Sequence, residues 1–144
     1  DGETLLDSYK QSRAAGFGAE ARRRIILGTY VLSHGYYDAY YRKAVSLRAE
    51  LVNEFDGVFK NVSYIATPTA PGPAFKIGEK QDPLSLYLED IFTVSANLAG
   101  VPAISVPFAT LPRDGVDLPV GVQFMAQKRA EPALFAISRD VMGE

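Results

Sequence analysis

Val94-Ser95-Ala96-Asn97-Leu98-Ala99-Gly100-Val101-Pro102-Ala103-Ile104-Ser105-Val106-Pro107 sets a helix end, a glycine turn and a short apolar strand side by side in fourteen residues. Upstream, Asp82-Pro83 is a helix start: an aspartate side chain accepts the amide protons left free at a first turn, and proline at the first helical position gives up a proton that would have no partner. Leu84, Tyr87, Leu88, Ile91, Val94 and Leu98 follow in steps of three and four. This spacing predicts one helix from 83 to 99 that stops at Gly100.

Downstream, residues 103–108 and 119–126 read as two strands, and Leu111-Pro112-Arg113-Asp114-Gly115 as the turn of a hairpin between them. Before the helix, Val62-Ser63-Tyr64-Ile65-Ala66 reads as a strand, ended by Thr67-Pro68-Thr69-Ala70-Pro71-Gly72-Pro73. Its three prolines remove ladder donors and hold the chain extended, so an ordered loop at a strand end is expected.

Further out, Leu27, Tyr30, Val31 and His34 give a helix over 19–33 with one buried stripe, interrupted by Gly35. A second stripe, Tyr40, Ala44, Leu47, Leu51, Phe55 and Val58, predicts a longer amphipathic helix. Leu134, Ile137 and Val141 predict a last helix over 131–141. Helices alternating with short apolar strands imply an α/β fold, a layered mixed sheet flanked by helices. Three strands cannot cover both faces of such a sheet well.

Composition narrows the function classes. The chain of 144 residues is 47% hydrophobic, enough for one core, with fifteen basic against seventeen acidic side chains and a formal charge of -2. That balance argues against a nucleic-acid footprint, and Arg22-Arg23-Arg24 reads as a helix face. With no cysteine there is neither a disulfide framework nor a thiolate metal site, which fits a reducing, cytoplasmic setting. The apolar runs are shorter than the roughly 20 residues a bilayer requires, so no membrane partner is expected.

The chain also lacks a self-contained active site. His34 is the only histidine, and its place on an apolar stripe suits a core or helix-end residue better than a catalytic one. There is no HExxH, no GxSxG and no GxxxxGK, and no serine has a lysine three residues later. No catalytic residue and no metal ligand is assigned. Tyr36, Tyr37, Tyr40 and Tyr41 could line a pocket or stack bases, but helical spacing favours core packing. Pro68, Thr69 and Pro71 lie at a strand end, where α/β proteins often hold ligands, although a rigid connector is the simpler reading.

At about 100° per residue, Asp90 falls beside Tyr87 and Val94 and is expected to face inward, with Glu89 facing water. Arg24 shares a face with Leu27 and Val31, and Arg22 lies on the far side. An inward arginine and an inward aspartate are either ligand clamps or structural partners. A guanidinium fork suits a carboxylate and a carboxylate suits an ammonium group, so as clamps the two complement an amino-acid zwitterion. The residues alone favour a structural salt bridge or two separate caps.

The segment 94–107, together with Arg22-Arg23-Arg24-Ile25-Ile26-Leu27-Gly28-Thr29-Tyr30 and Gly35-Tyr36-Tyr37-Asp38-Ala39-Tyr40-Tyr41, resembles the later part of the amidase-signature family. Within that family the pattern is most similar to the glutamine-hydrolysing subunits of tRNA-dependent amidotransferases. The resemblance runs from Leu6-Asp7-Ser8-Tyr9 to the last helix. It implies a single segment over 1–144, the C-terminal part of an incomplete amidase-signature domain. The missing Met at Asp1 and a last helix running almost to Glu144 fit a fragment.

The resemblance further implies that the family's Ser, cis-Ser, Lys triad lies upstream, so the isolated chain is expected to be inactive. It carries Arg24 and Asp90 over as substrate-binding residues for the α-carboxylate and α-amino groups of glutamine, reversing the structural reading of that pair. Expected partners are glutamine and the amidotransferase subunits B and C, with tRNA met only indirectly. No cofactor belongs to this chain, and ATP and magnesium are expected in the partner subunit. Another amide hydrolase of the family, or a non-catalytic packing domain, are the alternatives.

Overall fold

Local turn chemistry sets most element boundaries in the computed structural model, which describes residues 4–33, 35–79 and 82–143. Its contacts divide the chain into two compact units, Asp1–Leu47 and Arg48–Glu144. His34, read above as a core or helix-end residue, lies outside the described residues.

The first unit is helical. Helix α1, Leu5–Gly16, has no counterpart in the expectations above. Its signal is a capping pair: Thr4 Oγ1 accepts the Asp7 amide at 3.1 Å and bonds the Asp7 carboxylate at 2.6 Å. Helix α2, Ala19–Val31, ends close to where its stripe ends. Gly35, at φ +88°, breaks the path as expected, because that backbone conformation costs glycine little. A π-helical turn, Tyr37–Arg42, then leads into α3, Lys43–Val58, which crosses into the second unit.

Neither α1, α2 nor the π-helical turn contains a buried residue. The stripe predicted to be buried on α2 is therefore corrected: Leu27 and Tyr30 are exposed and Val31 is half-buried. Amphipathic spacing records that a helix has an apolar face. It does not record whether the neighbouring residues cover that face.

The second unit is built on a three-stranded antiparallel sheet, order β1-β3-β2, with β1 Tyr64–Pro68, β2 Ala103–Arg113 and β3 Val116–Ala126. The α/β class with helices on a sheet holds, and all three strands here pair antiparallel. Strand β1 starts two residues later than predicted because Asn61 and Val62 still donate to the Val58 carbonyl, at 2.9 and 3.3 Å, in the turn that closes α3. The hairpin is longer than predicted and its turn shorter. Only Asp114 and Gly115 turn, both at positive φ (52° and 80°), the geometry that suits the right-handed twist of flanking strands. One bulge between Pro107 and Ala109 absorbs an extra residue in β2.

Alternation along the strands assigns the two faces. Met125 pairs with Ile65 and Ala103, and that face carries the core of Ala96, Ala99, Val101 and Met125, packed by Phe55 and Phe59 of α3 and the turn after it. Tyr64 points to the opposite face, where its hydroxyl donates to the Ala133 carbonyl (3.2 Å) on helix α6, Glu131–Met142. Helices thus cover the sheet from both sides.

The helix predicted over 83–99 is three pieces: α4, Pro83–Tyr87; a 3-10 turn, Leu88–Asp90; and α5, Val94–Ala99. Both ends match the expectation. Asp82 caps α4 by accepting the Ser85 amide at 2.9 Å, and Gly100, at φ +70°, closes α5 with its amide on Ala96 O. The middle breaks because backbone groups there bond elsewhere. Thr93 bonds the Asp90 carbonyl through its amide (3.0 Å) and hydroxyl (3.2 Å), while Phe92 O takes the Ser95 hydroxyl and a side chain from the sheet.

Candidate functional site

Strand register builds a polar patch at one end of the α5-covered face. Gln123 on the central strand lies opposite Thr67 of β1 and Ser105 of β2, and Gly121 lies opposite Pro107. Just past β1, Thr69 donates its amide to Gly121 O at 3.1 Å. The Thr69 and Ser105 hydroxyls bond each other at 2.6 Å across Gly121. A methyl group on Gly121 would stand 2.7 Å from Ser105 Oγ and 3.0 Å from Thr69 Oγ1, so the hydroxyl pair exists only because residue 121 has no side chain.

Thr69, Ser105 and Gly121 form one wall of a cavity of about 430 Å³ within the second unit. The proline-rich loop from Ala70 to Phe75 forms another, and Glu89, Asp90 and Thr93 a third. The loop predicted to be ordered is anchored at its far end. Arg113 donates to the Pro73 and Ala74 carbonyls (3.4 and 3.3 Å) and pairs with Glu79, and Lys76 pairs with Asp114 at the hairpin tip (2.8 Å). The Lys76 amide, and then the Arg113 charge, hold the Glu79 carboxyl below its ordinary pKa.

The structure places Asp90 on the cavity wall beside Glu89. The predicted contrast between them is corrected: Asp90 is exposed and Glu89 is half-buried. A helical wheel holds only along a continuous helix, and the 3-10 turn at Leu88–Asp90 advances each side chain by about 120° instead of 100°. A carboxylate pair on a polar wall can attract an ammonium group, and the neighbouring hydroxyls can accept or donate to polar ligand atoms.

Arg24 belongs to the first unit, on α2. Its side chain is 66% exposed, and its Nε donates to Glu20 at 2.9 Å, with Arg23 on the other oxygen of the same carboxylate at 3.0 Å. It does not lean on a core as the wheel implied. Arg22, expected on the far side, lines an apolar hollow with Phe17, Ile25 and Ile26, because those side chains gather where α1 meets α2. Arg24 and Asp90 lie in different units, and each takes its surroundings from its own.

The tyrosines stack among themselves and form no core. Tyr30 and Tyr36 rings lie 4.4 Å apart, Tyr37 and Tyr41 rings 5.0 Å, and the Arg42 guanidinium stands 5.7 Å from the Tyr37 ring centre. All four tyrosines of the motif remain exposed, since no described residue of this unit closes over them. No helix among the described residues is long and apolar enough to cross a membrane.

The sheet with helices on both faces agrees with the match of the Amidase family model to residues 2–135, and the chain belongs to that family. Two relatives named as the A subunit of glutamyl-tRNA(Gln) amidotransferase, from Thermodesulfovibrio yellowstonii and Syntrophus aciditrophicus, are 51% and 53% identical over 95% and 96% of this chain. The crystal structure of the glutamyl-tRNA(Gln) amidotransferase A subunit from Thermotoga maritima is similar, with a TM-score of 0.67 and 48% identity over 93% of this chain. The chain spans 28% of the length of each of those relatives and 29% of that crystal chain.

Proposed function

We propose that this chain is the C-terminal, glutamine-holding part of the glutaminase subunit of a glutamyl-tRNA(Gln) or aspartyl-tRNA(Asn) amidotransferase. The observation that carries the reading is the cavity with Asp90 and Glu89 on one wall and the Thr69–Ser105 hydroxyl pair on the other. The Asp90 carboxylate receives the α-ammonium of glutamine, and Arg24 receives its α-carboxylate through a guanidinium fork. Amide hydrolysis consumes glutamine and water and yields glutamate and ammonia. The attacking nucleophile and its activating groups come from sequence outside this chain, so the isolated 144 residues are inactive in amide hydrolysis.

The ammonia passes to partner subunits, B and C by similarity, where ATP and magnesium serve the amidation of charged tRNA. Giving up the Glu20 contact costs Arg24 little, because an exposed ion pair of this kind is worth little on its own.

In the complete enzyme, Arg24→Ala raises the KM for glutamine about 30-fold, equal to the roughly 2 kcal/mol of a charge-assisted hydrogen-bonded contact. Asp90→Asn weakens glutamine use but spares glutaramic acid, which is glutamine without its α-amino group. Unchanged glutamine kinetics in both variants would remove the clamp assignment, and equal losses on both substrates in Asp90→Asn would assign Asp90 to folding.

A further inference from the structure

We infer that Gln123 is the positioning residue that fixes where Asp90 stands, an inference that rests on the reading of Asp90 as the ammonium partner. Gln123 is 3% exposed and lies on the sheet face beneath the cavity without lining it. Its amide nitrogen spends both protons on fixed acceptors: the Thr67 hydroxyl at 3.0 Å and the Phe92 carbonyl at 3.0 Å. The first fixes the rotation of the amide plane. The second reaches out of the sheet to the turn that separates Asp90 from α5.

That turn is tied to Asp90 in sequence and by hydrogen bonds. Thr93 holds the Asp90 carbonyl through both its amide and its hydroxyl. Phe92, between them, is held by Gln123, whose own backbone belongs to the central strand and is paired on both sides, to Thr67 and Ser105. The position of the carboxylate is therefore referred to the most constrained strand of the sheet through one side chain. A glutamine buried this deeply would be costly without partners, and an apolar residue of the same length would pack here without reaching Phe92. The same strand carries Gly121 and the contacts of the Thr69–Ser105 pair, so one strand sets the spacing of the two opposing cavity walls.

The test uses the complete amidotransferase and compares wild type, Gln123→Met, Thr67→Val and Asp90→Asn on glutamine and on glutaramic acid. Gln123→Met keeps length and removes both donors. Its KM for glutamine rises about tenfold with kcat within about twofold, and glutaramic acid kinetics do not change. Thr67→Val moves the glutamine KM in the same direction by less, because the bond to Phe92 survives without its orienting partner. Thr67→Ser, which keeps the hydroxyl, behaves as wild type.

An unchanged glutamine KM in both Gln123→Met and Thr67→Val, beside a raised one in Asp90→Asn, overturns the positioning role and leaves the Asp90 reading intact. Equal losses on both substrates overturn it by making Gln123 a packing residue only. An unchanged KM in Asp90→Asn itself overturns the ammonium reading and this inference together. Should Gln123→Met fail to fold, the Thr67 pair of variants decides the matter alone.

Discussion

Residues 4–47 and residues 48–143 use the same kinds of helix and reach opposite results. In the first unit no described side chain is buried, although Leu27, Tyr30 and Val31, and then Tyr36, Tyr37, Tyr40 and Tyr41, recur at helical spacing. In the second, short and broken helices bury Ala96, Ala99 and Leu134 and leave Met125 2% exposed. The difference is the sheet. A sheet offers a broad face on which brief helices find neighbours, and the described residues of the first unit contain no strand. Length and periodicity of a helix therefore say little about its burial.

The largest expected effect contrasts the two units directly. Met125→Ala opens a cavity in the core of Ala96, Ala99 and Val101 and costs about 2–5 kcal/mol, read as a lowered denaturation midpoint of the second unit. Ile26→Ala, at a site 69% exposed, shifts the midpoint by no more than about 0.5 kcal/mol. A large loss from Ile26→Ala would show that its face is covered in solution and would end the contrast.

Next in size is Gly121→Ala. Its methyl enters the space between the Ser105 and Thr69 hydroxyls, and the overpacking costs about 1–3 kcal/mol. A crystal structure of the variant is expected to show the hydroxyl pair parted and the cavity wall displaced. An intact pair at its present 2.6 Å would mean that the strand yields more easily than its pairing implies.

The smallest effect is acid fraying of α4. The Ser85 amide, and then the Ser85 hydroxyl, hold the Asp82 carboxyl below its ordinary value of 3.8. A depressed folded pKa contributes stability that is present above the unfolded value and lost as pH falls through the folded one. Amide exchange at Ser85 therefore accelerates as pH drops below about 4, relative to residues of α5. Asp82→Asn keeps an acceptor oxygen and removes that pH dependence. Equal acceleration in the variant would assign the effect to general acid unfolding.

What could be read in the sequence was what neighbours along the chain decide. Asp82-Pro83, Gly100 and Asp114-Gly115 are local devices, and each performs the predicted turn or cap. The Thr4–Asp7 capping pair is equally local and open to reading, yet without a marked apolar stripe behind it helix α1 does not stand out. The break between α4 and α5 could not be read, because Gln123, from a distant strand, takes the Phe92 carbonyl. That break turned Glu89 toward partial burial and Asp90 outward, against the wheel. Asp90 entered as a site residue through family resemblance joined to its chemistry. Thr69, Ser105 and Gln123 meet only once three strands adopt their register, and no single stretch of sequence announces that meeting.

The proline-rich wall of the cavity has a thermodynamic consequence. Pro71 and Pro73 fix their own backbone angles, and Arg113 and Lys76 moor the far end to the hairpin tip and to Glu79. Such a segment has little conformational entropy left to lose when a ligand arrives, so more of each new contact appears as affinity. One mooring, Lys76–Asp114, is an exposed ion pair, whose strength falls with added salt. Ionic strength thus acts as a remote control on the stiffness of the wall, loosening it without touching any group that would meet the ligand.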